Sequence, residues 1–375
     1  MIDENLLSNL NDYQKNNYPV TSSYMTIPND LGEKKKHLVK LKEKIKYKKS
    51  TSYFKELPEN EKESVLEDFE KIHDWYNESF ENQHYKSGLV FSSSKNGLWE
   101  TVNLKVPVDN ELSIQHKPYI RPLAKMLSDY KNFAVVLIDK AKTRIIENRF
   151  GEYVEHINEE YENIEDIKVG GFQGREERKH ERHQHKEVVN HFKEAAQKIF
   201  EFDKQKNFHW IILGGRKEAT SEFKNYLHNY VKKKVIGSVK LETSASINKI
   251  VDKITDLVEK ARHEYEDKLI NKFHEQNQKG KGASGFEEIF EAIRQGRIDH
   301  LLIPEQLRQK GVYCRYDNYL NTEVKEECPL CGNKLERTGD VVEHLIEKAL
   351  NQSSNIHLID KPLEGEDKIA ATLRY

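Results

Sequence analysis

The chain has three cysteines, all between positions 314 and 331. They form two short knuckles, Cys314-Arg-Tyr-Asp317 and, after ten intervening residues, Cys328-Pro-Leu-Cys331 followed by glycine. Paired knuckles of this kind describe a zinc ribbon, and three thiolates with one carboxylate suit a tetrahedral zinc ion. A site made of Cys314, Asp317, Cys328 and Cys331 would be structural, because four protein ligands leave no position open for a reacting water. The alternative is a degenerate knuckle that binds no metal. Cysteines confined to so short a stretch exclude a disulfide framework.

A second constellation lies at Val169-Gly-Gly-Phe-Gln-Gly-Arg175. Gly170 and Gly171 free the backbone for close approach to a ligand, and the helix that follows offers unpaired N–H groups to an anion or a developing oxyanion. Gln173 is the loop's only side-chain amide. Phe172 could stack on a nucleic-acid base. Beyond the loop Arg175, Arg178 or Lys179, Arg182 and Lys186 step by three and four, a basic stripe fit to follow a phosphate backbone. Val188, Phe192, Ala195 or Ala196 and Ile199 continue that spacing as a packing face. The plainer reading is a surface turn followed by a solvated helix laced by Glu176, Glu177, Glu181 and Glu187. His180, His183, His185 and His191 share this segment, but the face that would unite His180 and His183 lacks a carboxylate at a zincin spacing, and His180, His183 and His185 read better as extra phosphate donors than as metal ligands. Asp139 and Glu147 offer a thin carboxylate pair for metal-dependent RNA cleavage. Gly214-Gly215-Arg216 lacks a nucleotide-binding pattern and reads as a tight strand-to-helix turn.

Positioning these groups needs more than one core, since 375 residues exceed what a single core usually organises. Hydrophobic residues are 36% and charged residues 33%, yet 15 Phe, 18 Tyr and 3 Trp supply apolar area enough to exclude wholesale disorder. Lys and Arg number 61 against 63 Asp and Glu, so the chain is not a globally basic nucleic-acid binder. No apolar run reaches a bilayer span of about 18 residues, and the start lacks a signal region; the expectation is a cytoplasmic protein with no membrane partner. An N-terminal α/β domain is expected over 1–128, with helices near 33–49 and 55–81 whose stripes are Leu38, Leu41 and Ile45, then Val65, Phe69, Ile72 and Tyr76. Short strands follow at 88–91, 98–104 and 112–115. A central α/β domain over 129–278 opens with the apolar strand Phe133-Ala-Val-Val-Leu-Ile-Asp139. It continues through a helix at 174–202, a strand at 208–213, a helix at 217–231 and a long helix at 244–276. Gln278 to Gly285 reads as a linker. A C-terminal α/β/α domain over 286–375 carries the cysteine knuckles at about 312–336.

The order of these features resembles the archaeal and eukaryotic class-1 peptide-chain release factor and Pelota superfamily, in its bacterial branch. The resemblance is carried by Phe133-Ala-Val-Val-Leu-Ile-Asp139 with Arg144, by Gly170-Gly-Phe-Gln-Gly-Arg175 and its helix, by Ala292-Ile-Arg-Gln-Gly-Arg-Ile-Asp-His-Leu-Leu-Ile303, and by the ending Lys368-Ile-Ala-Ala-Thr-Leu-Arg-Tyr375. It implies a ribonuclease-H-like central domain and a C-terminal domain like those of K-turn-binding ribosomal proteins, here with the zinc-ribbon insertion. It also implies binding to rRNA in the ribosomal A site, peptidyl-tRNA as a ligand and a translational GTPase as helper. In true release factors a Gly-Gly-Gln loop positions water against the peptidyl-tRNA ester; Gly170 and Gly171 match it, and Gln173 stands one residue late because Phe172 intervenes. The N-terminal part matches loosely and has no stop-codon-reading motif of the eukaryotic kind. Three functions follow as expectations: ribosome rescue with peptidyl-tRNA hydrolysis, non-hydrolytic ribosome hibernation or protection, and an RNA nuclease.

Overall fold

The computed structural model describes residues 4–13, 17–28, 36–79, 85–161, 175–363 and 369–375, with the side chains of 4, 5, 79 and 175–181 outside that description. Two units result, 1–129 together with 265–375, and 130–264.

The first unit begins with α1 (Glu4–Asn11), β1 (Val20–Thr26), α2 (Lys36–Ser50), α3 (Ser52–Glu56) and α4 (Glu59–Ser79). β2 (Ser87–Ser93), β3 (Leu98–Leu104), β4 (Glu111–Gln115) and α5 (Arg121–Asp129) follow. The strands form an antiparallel sheet in the order β3-β2-β1-β4. The expected stripes of α2 and α4 bury Leu38, Leu41, Val65, Phe69, Ile72 and Tyr76 against Met25, Val90, Leu112 and Ile114 of the sheet, with Ile45 half-buried at the edge. β1, a central strand, is not signalled by hydrophobicity: Thr21, Ser22 and Ser23 are fully buried. Their hydroxyls are satisfied instead, Thr21 donating to Asp68 Oδ2 at 3.1 Å and Ser22 accepting the Tyr119 N–H at 2.9 Å.

The second unit holds β5 (Phe133–Ile138), β6 (Lys142–Arg149), β7 (Glu152–Glu160), α6 (Arg175–Lys206), β8 (Trp210–Gly214), α7 (Lys217–Tyr226), α8 (Asn229–Lys233) and β9 (Val235–Val239). Its sheet runs β7-β6-β5-β8-β9, antiparallel through the first three strands and parallel from β5 to β9. Every residue of β5 is buried, as its unbroken apolar run requires of a strand covered on both faces. Gly214 and Gly215 form the expected tight turn: a Cβ on Gly215 would lie 2.3 Å from the Ile138 carbonyl oxygen. The single helix expected over 217–231 is broken, because Leu227 and His228 are extended and the His228 ring accepts the Tyr230 N–H as a new cap. α9 (Ile247–Gln278) then runs on from this unit into the first.

The C-terminal part comprises β10 (Gly282–Ser284), α10 (Gly285–Arg294), β11 (Ile298–Pro304), β12 (Gly311–Tyr313), β13 (Leu320–Asn321), β14 (Glu336–Thr338), α11 (Val341–Asn351), β15 (Asn355–Ile359) and β16 (Ala370–Leu373). A mixed sheet β10-β16-β11-β15 forms its base, and β13-β12-β14 makes a small separate sheet. Two boundary expectations are corrected here. The glycine-rich stretch at 278–285 is no linker, because Gly282–Ser284 pairs with β16 as an edge strand. Nor does the central unit run to 278: Leu269 and Phe273 of α9 pack on Leu302, Ile359 and Ala370, so the division falls inside the helix.

N-terminal and C-terminal parts meet in a polar seam. Arg121 Nη1 lies 2.6 Å from Asp340 Oδ2, Gln115 Nε2 donates to Glu343 Oε2 at 2.7 Å, and Lys117 pairs with Glu347. Burial pushes the Glu343 carboxyl up to about 7, against the Gln115 hydrogen bond and with help from Asp340. A folded-state value above the unfolded one means that the native state holds a proton the unfolded chain releases. The stability contributed by the neutral carboxyl is therefore full below the ordinary glutamate range and is lost as pH rises through about 7. Glu343→Gln should stabilise the protein by roughly 1–3 kcal/mol at pH 8 and by almost nothing near pH 4.5. Thermal melts at the two pH values check this; an equal shift at both would overturn it.

Candidate functional site

The two knuckles sit where the small sheet leaves and rejoins the C-terminal part. β12 delivers Cys314, whose N–H bonds the Tyr319 carbonyl at 3.0 Å, while the Cys328 N–H bonds the Asn333 carbonyl at 2.8 Å. In each knuckle the backbone N–H two residues on points at the leading sulfur, Tyr316 to Cys314 Sγ and Leu330 to Cys328 Sγ, both at 3.4 Å. Gly332 takes φ +74, the left-handed turn that closes the second knuckle. Donor atoms of Cys314, Asp317, Cys328 and Cys331 lie within 4.8 Å of one another, and among the described residues they are the one group able to hold a metal ion. Cys314 Sγ is 3.5 Å from Cys331 Sγ, and Cys328 Sγ is 3.0 Å from Asp317 Oδ2. Zinc–thiolate bonds of about 2.3 Å imply a sulfur–sulfur edge of about 3.8 Å, so the donor set fits a tetrahedral zinc ion.

Two further groups shape this site. The Asn333 side chain donates to Cys331 Sγ at 3.3 Å. Lys348 of α11, buried, reaches the Asp317 carbonyl at 2.5 Å and the Cys314 carbonyl at 3.5 Å, pinning the first knuckle to the domain. Nothing in the sequence around Lys348 signalled that role. Burial pushes the Cys314 thiol up to about 12 and raises the Cys328 thiol; a bound cation would invert that balance by stabilising thiolates.

The loop residues Gly170, Gly171, Phe172 and Gln173 lie outside the described residues. Arg175, Arg178 and Lys179 belong to the first turns of α6, with their side chains outside the description. Arg182 and Lys186 are exposed, as are His183 and His185. From Val188 onward the helix changes character, and Val188, Phe192, Ala195, Ala196 and Ile199 join the core of their unit. His191 belongs to that core: buried, its Nε2 lies 3.2 Å from Thr143 Oγ1, and burial lowers its pKa and keeps the ring neutral.

Asp139 and Glu147 are not brought together. Asp139 Oδ1 accepts the N–H groups of Ala141 and Lys142 at 2.9 and 2.8 Å, and Oδ2 accepts the Thr243 hydroxyl at 2.6 Å. Glu147 pairs in register with Ala134, at the far end of β5, and bonds His156 Nε2 at 2.7 Å. Five residues of strand place the two about 17 Å apart. Two-metal cleavage needs ions about 3.5–4 Å apart between shared carboxylates, so this pair is structural and the nuclease expectation loses its site.

A family model described as bacterial archaeo-eukaryotic release factor family 10 matches residues 118–259. Peptide chain release factor subunit 1 of Pyrococcus abyssi is 28% identical over 270 residues, 65% of this chain and 64% of that protein. The corresponding subunit of Methanococcoides burtonii is 24% identical over 272 residues, 66% of this chain. The chain thus spans 64% of the length of each of these two relatives. Among solved structures, Saccharomyces cerevisiae Dom34, described as a translation termination-like factor interacting with Hbs1, gives a TM-score of 0.41 at 13% identity, covering 79% of this chain and 81% of that one. Archaeoglobus fulgidus Pelota gives 0.36 at 18% identity, covering 77% and 79%.

Proposed function

We propose that this chain, which belongs to the class-1 release-factor and Pelota superfamily, is a cytoplasmic translation factor that enters the ribosomal A site and directs its Gly170–Gln173 loop toward the peptidyl-transferase centre. The observation that carries the reading is the family match over 118–259, which spans the glycine loop and the whole of α6. The division of α6 supports it: exposed Arg182 and Lys186 precede a half anchored in the core from Val188. An anchored helix with a cationic leading half can hold a tRNA acceptor end by its phosphates while reading no sequence.

At that place the loop has one reaction to assist. Water adds to the ester carbonyl carbon of peptidyl-tRNA, the bond to the tRNA 3′ oxygen breaks, and that oxygen takes a proton, leaving a free peptide acid. Gly170 and Gly171 permit the approach, and Gln173 orients the water. Phe172 favours a second reading: a shift of up to about 3.5 Å in Gln173 would turn the loop into a plug that occupies and protects the centre. The zinc ion belongs to the proposal as well, as a structural clamp on Cys314, Asp317, Cys328 and Cys331 beside the C-terminal sheet. A translational GTPase is the proposed helper.

Labelled peptide release from stalled ribosomes with an empty A site tests this. Gln173→Ala should cut release by about 100-fold or more while co-sedimentation persists. Arg182→Glu with Lys186→Glu should weaken co-sedimentation and flatten its salt dependence. Binding without release would select the plug. Absence of binding to any ribosomal state would sink both readings.

A further inference from the structure

Within the first unit the N-terminal and C-terminal parts enclose a cavity of about 730 Å³, in the range of small-molecule sites. One wall is built from Lys48 of α2, Tyr53 of α3 and the segment from Ser113 to Arg121; the other is built from Tyr313, Arg315 and the α11 face that carries Glu343, His344 and Glu347. Neither part forms it alone. We propose that this cavity binds a nucleoside phosphate.

Charge is the first argument. Six cationic side chains line the cavity, Lys48, Lys117, Arg121, Arg315, Arg337 and Lys348, against the three carboxylates Glu336, Glu343 and Glu347. Most of the cations are engaged: Lys117 with Glu347, Arg315 with Glu336, Arg121 with Asp340, and Lys348 with backbone carbonyls. Lys48 and Arg337 carry no carboxylate partner among the described residues. Lys48 is also partly withdrawn from water, and this burial lowers its pKa. A partly desolvated ammonium that makes no ion pair, with the carboxylates of Glu111 and Glu343 acting on it only from farther off, gains from a bound anion.

Hydrogen-bonding capacity is the second. Asn11 is only 5% exposed and lines the cavity, yet its Oδ1 accepts no hydrogen bond, while its Nδ2 is committed to Asn351. His116 Nδ1, in the same lining, is likewise buried without a partner. A small side-chain rotation would turn these atoms into the cavity, where the polar edge of a base supplies donors and acceptors together. The third argument is the ring surface: Tyr313 and His344 are stacked at 3.6 Å, and Tyr53 stands nearby, half out in solvent, so flat faces adjoin the cationic groups. An anion, a polar edge and a flat ring occur in one ligand class of this size. The nucleotide could be free or an unpaired residue of an RNA strand, and the inference does not rest on the loop's chemistry.

Equilibrium dialysis of the full chain against adenosine monophosphate, and in parallel against a short single-stranded oligoadenylate, tests it, with 8-azido-adenosine monophosphate cross-linking to locate the site. Expected is saturable binding with cross-links in the peptides of Tyr53 or Tyr313, weakened at least tenfold by Lys48→Glu and also by the exposed-site variant Arg337→Glu. Binding of the mononucleotide assigns a free ligand; cavity-located binding of the oligonucleotide alone assigns a nucleotide of RNA. Neither probe bound, or binding unchanged in both variants, overturns the proposal.

Discussion

Cys328→Ser, or prolonged dialysis against a chelator, is expected to unfold the segment around 312–336 while the rest of its unit stays folded. The reason lies in how little else holds the segment. Its strands β12, β13 and β14 have three, two and three residues. Its buried cluster is Val312, Cys314, Tyr319, Cys328 and Leu335, of which two are the proposed ligands. So small a core lies below what a module of this length needs to fold alone, and structural zinc in such modules contributes on the order of 10–16 kcal/mol. Removing one thiolate leaves two thiolates and one carboxylate around a charge that four ligands would balance. Expected are one zinc per chain by mass spectrometry of the purified protein, its loss in Cys328→Ser, and new proteolytic cuts at the exposed Lys325 and Lys334. Asp317→Cys, which completes an all-thiolate set, should retain the metal. Protein purified without zinc and indifferent to the chelator would sink the metal reading, leaving the hydrogen-bonded knuckles as the whole structure.

How far this was legible depends on the range over which each feature is encoded. The meeting of Cys314, Asp317, Cys328 and Cys331 was readable because a knuckle is local: two turns of four residues carry their own N–H to sulfur bonds, and only their convergence is tertiary. The packing half of α6 and the stripes of α2 and α4 were readable because helical periodicity writes burial into spacing. β1 was not, since a central strand built on Thr21, Ser22 and Ser23 is defined by partners 47 and 97 residues away, Asp68 and Tyr119. The stretch at 278–285 misled for the opposite reason. Glycines that suit a linker also suit an edge strand lying close against α9, where a Cβ on Gly282 would meet Asn277 at 2.6 Å. Asp139 and Glu147 are near in sequence yet far apart in space, because Asp139 sits at the hairpin turn while Glu147 lies along the returning strand, opposite Ala134. The Gly170–Gln173 loop is readable only as a motif, and its chemistry rests on the family and on the release experiment.

Arg121→Met is expected to cost the first unit about 3–5 kcal/mol, the largest loss predicted for a single side chain in the seam. Arg121 is 4% exposed and satisfies three acceptors: Asp340 Oδ2 at 2.6 Å, the Glu305 carbonyl at 3.0 Å and the Leu307 carbonyl at 2.6 Å. Asp340 also caps α11 through the Val342 N–H at 3.1 Å and accepts the Gln309 N–H at 3.2 Å. Methionine keeps much of the volume, so the loss isolates a buried carboxylate whose one remaining cation is the half-exposed Arg308 at 3.4 Å, which also donates to the Glu305 and Leu307 carbonyls at 3.0 and 3.1 Å and must then serve all three acceptors. By contrast Lys117→Met, which breaks a more exposed pair with Glu347, should cost no more than about 1 kcal/mol. Denaturant titration of the two variants separates the cases, and Arg121→Met should lower Tm by on the order of 10 °C. If both variants lose less than about 1 kcal/mol, the N-terminal and C-terminal parts are not held by this latch. A large loss for Arg121→Met, with Glu343→Gln stabilising only at high pH, would mean that the seam is a built joint tuned by buried charge, and that a change at Arg121 also reaches α11 and the knuckle that Lys348 pins to it.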